Sequence, residues 1–137
     1  MGHRPAYYPK LVLVVDDEVE LLDVLKAILV EEAGFRVITA AVPELVLPLV
    51  ETAPPEALLL DLGLPGQSGW DVLAALRTNP RFRTLPVLIV SAAHDAARRV
   101  TQLNDPWVEY LPKPVDLEIL LDRVTRLIER HAQQSVG

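Results

Sequence analysis

Hydrophobic and polar positions along the chain switch between two periods. Leu11–Val15 is a continuous, valine-rich apolar run, the pattern of a strand covered on both faces. Beyond it Val19, Leu21, Leu22, Leu25, Ile28 and Leu29 recur at helical spacing, and Gly34 stands where a helix C-cap belongs. The alternation then repeats. Phe35–Thr39, Ala57–Leu60, Pro86–Val90 and Trp107–Leu111 read as further strands. Helices are expected between and after them, over Glu44–Thr52, Gly69–Thr78, Ala96–Leu103 and Leu117–Arg130. Pro48 predicts a short or kinked second helix, because a proline in a helix interior removes a hydrogen bond and costs ~3 kcal/mol. Five strand–helix alternations predict an α/β domain: a parallel sheet with right-handed crossovers and helices on both faces.

Length and charge narrow the picture. The chain has 137 residues, the size of one domain. The alternating pattern fills residues 11–131, leaving an N-terminal arm at 1–10 and a tail at 132–137. With 0 cysteines, disulfides and thiolate-ligated metal sites are excluded. A formal net charge of -6 with no Lys/Arg stripe argues against direct nucleic-acid binding. Apolar runs fall well short of the ~18 residues of a membrane span, and MGHRPAYYPK lacks the apolar stretch of a signal peptide. A cytoplasmic protein with no membrane contact is expected.

In open parallel sheets, sites form at the carboxyl ends of the strands. The residues there are Asp16 and Asp17 after the first strand, Asp61 after the third, Ser91 after the fourth and Lys113 after the fifth. Taken singly each has an ordinary explanation: a helix start, a turn residue, a cap, an exposed lysine. Their joint placement is informative. Clustered carboxylates near a protein interior are costly unless neutralised. One lysine is too little for three acids, and a hard divalent cation such as Mg²⁺, which takes carboxylate and phosphate oxygens, would balance the rest.

The segments "VVDDE", "LLLDLGLPGQSGWDVL", "VLIVSA" and "YLPKP" together resemble the receiver domain of two-component response regulators, over residues 11–131. The resemblance implies a flavodoxin-like three-layer sandwich with five helices and a five-stranded sheet of order 2-1-3-4-5. It implies that Asp61 is a phosphoacceptor and that Asp16, Asp17, Asp61 and the backbone carbonyl of Gly63 hold Mg²⁺. Ser91 and Lys113 would contact the phosphoryl group, Tyr110 would be a switch aromatic that turns inward, and the Lys113–Pro114 bond would be cis. The implied donor is a phosphohistidine on a sensor histidine kinase or a histidine phosphotransfer protein. The product would be an aspartyl phosphate that the same site later hydrolyses. Such a chain is a switch rather than an enzyme with turnover. Its output surface, for a homodimer or an effector, would be the face of the fourth helix, fifth strand and fifth helix.

Some positions depart from the family pattern. Pro106 and Trp107 replace a small pair before the switch aromatic, so Trp107 is either a packing plug or, with Arg98 and Arg99, a partner anchor. Gly63 and Ala93, flanking the site, are small and leave water little hindered, which points to a short-lived phosphoryl state. Leu64 stands in place of a common methionine. Two rival functions remain open. A Mg²⁺-dependent phosphohydrolase of the haloacid dehalogenase type shares an aspartate nucleophile, but its general acid would fall at Gly63. A receiver-like binding module indifferent to phosphate would not need the full set of strand-end residues.

Overall fold

The computed structural model describes residues 9–64 and 66–136. Most of the expected arm at 1–10, and Pro65, lie outside the described residues. In chain order the elements are β1 (Leu11–Val15), α1 (Val19–Ala33), β2 (Arg36–Ala40), α2 (Val46–Thr52), β3 (Ala57–Leu60), α3 (Gly69–Thr78), β4 (Val87–Ser91), α4 (Ala96–Leu103), β5 (Val108–Pro112) and α5 (Leu117–Val136). The strands form one sheet in the order β2-β1-β3-β4-β5, with every pairing parallel.

Alternation along the central strands divides the core in two. Leu13, Val15, Leu58, Leu60, Val87 and Ile89 face one side, where they pack against Val46 and Val50 of α2, Val72 and Leu76 of α3, and Ala96 of α4. Val12, Val14, Leu59, Leu88 and Val90 face the other, against Leu25 and Leu29 of α1 and Leu120, Val124 and Leu127 of α5. Both faces are therefore covered, which is why these strands read as unbroken apolar runs.

Several boundaries differ from the sequence expectation. β2, β4 and β5 each begin and end one position later than expected, because the parallel ladders extend to the pairs Val15↔Ala40 and Ser91↔Pro112. Ser91 is thus the last residue of β4 rather than the first beyond it. Pro48 is not interior to its helix. A 3-10 turn over Pro43–Leu45 precedes α2, and Pro48 falls in the first turn of α2, where a missing N–H forfeits no helical bond. A second 3-10 turn, Pro80–Phe82, has no periodic signal. α5 continues past Arg130 to Val136, so most of the expected tail is helical. Gly34 caps α1 as its position suggests, at φ 70°, with the N–H of Phe35 bonded to the Leu29 carbonyl at 3.1 Å.

Trp107 is a packing plug and not a surface anchor. It is 9% exposed, its ring meets that of His131 edge-on with centroids 4.9 Å apart, and the Arg130 guanidinium lies 4.3 Å from its centroid. Arg130 also donates to the Pro106 carbonyl. Among the described residues, no helix is long and apolar enough to cross a membrane.

Candidate functional site

The carboxyl ends of β1, β3, β4 and β5 converge on one edge of the sheet. β1 delivers Asp16, whose backbone N–H is still in the ladder, bonded to the Ala40 carbonyl at 3.1 Å. Its side chain is buried, and Oδ1 accepts the N–H of Glu18 at 2.9 Å. Asp17 is exposed. β3 delivers Asp61, also buried, whose N–H continues the ladder to the Val15 carbonyl and whose Oδ1 accepts the Gly63 N–H at 3.1 Å. Oxygens of Asp16, Asp17 and Asp61 lie within 4.8 Å of one another, a donor set suited to a hard cation.

Lys113 crosses the site from the end of β5. Its Nζ lies 2.8 Å from Asp16 Oδ2, 2.8 Å from Glu18 Oε2 and 3.3 Å from Asp61 Oδ2. The Lys113–Pro114 bond is cis. Burial works to lower the pKa of Lys113, but its hydrogen bonds to Asp16 and Glu18, and the field of Asp61, outweigh burial and hold it above the usual lysine range. Asp16 behaves differently. Burial raises its carboxyl above the usual value, with the hydrogen bonds from Lys113 and Glu18 opposing and the charge of Asp61 reinforcing the rise. One ammonium therefore leaves the acidic cluster short of positive charge.

Ser91 is buried, and its Oγ accepts the N–H of Ala93 at 3.1 Å. Tyr110 on β5 is half-buried, and its hydroxyl already donates to the Ser91 carbonyl at 3.2 Å. The aromatic expected as the switch is thus bonded to the β4 backbone. Asp61, Gly63, Ser91, Ala93 and Lys113 line one pocket of about 530 Å³.

Sequence reasoning did not place three side chains at this site. Glu18 belongs to the quoted acidic run but was expected only as a helix start; it is a direct partner of Lys113. Trp70 and Arg99 line the same pocket, with the Arg99 guanidinium 4.3 Å from the Trp70 ring centroid. Trp70 sits on the apolar stripe of α3 and reads as core, and Arg99 on α4 reads as surface. Only the packing of α3 beside α4 joins them.

The response regulator receiver domain family model matches residues 12–125. The transcriptional regulatory protein KdpE of Mycobacterium tuberculosis is 37% identical over 121 residues, covering 88% of this chain and 52% of that protein. Protein RcaC of Microchaete diplosiphon is 31% identical, covering 93% of this chain and 19% of its own length. The chain thus spans about half or less of the curated relatives it matches. A CheY-like receiver domain protein from Methanospirillum hungatei has a solved structure that superimposes with TM-score 0.82 at 26% identity, covering 93% of this chain and 99% of that one. A response regulator structure from Chloroflexus aurantiacus gives TM-score 0.79 at 30% identity, covering 89% and 99%. With its strand order, its strand-end acids and lysine, and these matches, the chain belongs to the response regulator receiver domain family of two-component systems.

Proposed function

We propose that Asp61 accepts a phosphoryl group from a phosphohistidine on a sensor histidine kinase or a histidine phosphotransfer protein, in a Mg²⁺-dependent reaction, and that Ser91 and Tyr110 read the result. The observation that carries this is Lys113 drawn against Asp16, Glu18 and Asp61 at the ends of three strands. A buried carboxylate held beside an ammonium, with one oxygen fixed by a backbone N–H, is a positioned nucleophile.

The donor set fits the cation. Asp16, Asp17 and Asp61 offer only oxygens, and the buried Asp16 lacks enough compensating charge. Those three carboxylates and the Gly63 carbonyl would hold Mg²⁺, which when bound supplies neutralisation of phosphoryl oxygens. The chain's own residues do the rest. Asp61 forms the new O–P bond as the donor's N–P bond breaks, the electron pair returning to the imidazole nitrogen. Lys113 shifts from the carboxylates toward a phosphoryl oxygen. Ser91 donates its hydroxyl proton to another, drawing the start of the β4–α4 segment inward. Tyr110, bonded to the Ser91 carbonyl, registers that movement on the face formed by α4, β5 and α5. That face is the docking surface for a second copy or an effector.

The test is incubation with acetyl phosphate and Mg²⁺, read by intact mass. One added phosphoryl group is expected on the wild type and none on D61N or without Mg²⁺. An equal adduct on D61N would refute the assignment.

A further inference from the structure

The pocket over Asp61 has walls of unequal reach. Gly63 and Ala93 contribute almost nothing beyond backbone, and a Cβ added at Gly63 would meet only the Asp61 carboxylate, at 3.9 Å. The bulk is supplied by Trp70 of α3 and Arg99 of α4, stacked 4.3 Å apart as a cation–π pair. The charges are unequal too. Asp17, Glu18, Asp61 and Asp95 line this pocket, against Lys113 and Arg99 as its cations. Lys113 is already shared among three acids. A phosphoryl dianion on Asp61 would add more negative charge, and Arg99 is the cation with donors to spare for it. Its planar fork can stay stacked on an indole face while its edge donates to phosphate oxygens, which a lysine cannot do.

We propose that Arg99, held by Trp70, is a positioning residue that closes over the phosphoryl group on Asp61 and slows its hydrolysis. The inference rests on Asp61 being the phosphoacceptor. In hydrolysis a water oxygen bonds to phosphorus as the bond from phosphorus to the Asp61 oxygen breaks. The electron pair returns to the carboxylate, and both water protons leave on dihydrogen phosphate. Because Asp61 is buried and opens onto this pocket, water reaches phosphorus through it. A guanidinium bonded to the equatorial oxygens and backed by an indole occupies that route.

The experiment charges the full chain with acetyl phosphate and Mg²⁺, removes the donor by rapid desalting, and follows loss of the label by intact mass. R99A is expected to shorten the half-life three- to tenfold. W70L should act in the same direction, because the guanidinium loses its platform. R99K, which keeps charge but not the fork, should fall between R99A and wild type. Melting temperatures run alongside separate lifetime from folding, and R99K serves if R99A does not fold. Affinity for beryllofluoride should fall in R99A by a similar factor, an effect that mere packing would not produce. A half-life in R99A and R99K within twofold of wild type, or longer, overturns this proposal while leaving Asp61 as acceptor. No label on wild type overturns the acceptor assignment and this inference with it.

Discussion

Asp16 and Asp61 are two buried acids sharing one ammonium, and that shortage has a measurable consequence. The charge of Asp61 adds to the burial that already raises the Asp16 carboxyl. In D61N that like charge is gone, while Lys113 keeps Asp16 and Glu18 at 2.8 Å. Metal-free D61N is therefore expected to melt at or above the wild-type temperature in a circular-dichroism scan. Added Mg²⁺ should raise the wild-type midpoint and not that of D61N, because a ligand that binds only the folded state stabilises it by mass action. A D61N midpoint well below wild type would contradict this charge balance. Gly69 shows a different kind of constraint. A Cβ there would lie 2.6 Å from the Asp61 carbonyl oxygen and 2.9 Å from the Leu62 Cα, both backbone atoms. G69A should cost about 1–3 kcal/mol by forcing α3 away from the acceptor loop, seen as a lower denaturant midpoint. The strand-end acids, serine and lysine were legible in the sequence because each ends an apolar run. The partnership of Glu18 with Lys113 and of Arg99 with Trp70 was not, since those pairs are far apart in the chain and neither has a spacing rule.

Elements were legible where one periodicity ran unbroken. β1, β3 and α3 have the expected limits, and α1 ends at the expected cap. The mistakes came where tertiary pairing, not local pattern, decides. β2, β4 and β5 are each displaced by one residue, because a parallel ladder ends where its partner ends. Pro48 predicts a short or kinked second helix, and α2 is short at 7 residues, but the place of the proline within its first turn is something an unpatterned stretch does not reveal. The far end of α5 illustrates packing that carries its own pH dependence. His131 sits against Trp107, with its Nε2 3.0 Å from Thr84 Oγ1. Burial first, and the positive charge of Arg77 second, lower its pKa below the usual 6.5. The folded state then binds fewer protons than the unfolded chain between the lowered value and 6.5. Stability from neutral His131 is present above 6.5 and is lost as pH falls through the folded value. Melting temperature should therefore decline below pH 6.5 in wild type, and H131Q should flatten that part of the curve. An unchanged slope in H131Q would assign it to other groups. W107A, which empties the plug beneath this helix, should cost about 3 kcal/mol in chemical denaturation and leave labelling of Asp61 intact.

At the scale of the molecule, a sheet covered on both faces leaves its strand ends as the place where charge can gather, and five parallel strands bring their carboxyl ends to one edge. That architecture was the most legible feature of the sequence. What it does with a phosphoryl group is the central claim, and chemical trapping tests it most directly. The chain is treated with acetyl phosphate and Mg²⁺, then reduced with borohydride, which converts an aspartyl phosphate to homoserine, and digested for tandem mass spectrometry. The account predicts homoserine at position 61, dependent on both donor and Mg²⁺, with Asp16 and Asp17 unchanged. Homoserine at another acid, or none at position 61 at saturating donor and metal in a folded protein, would contradict it.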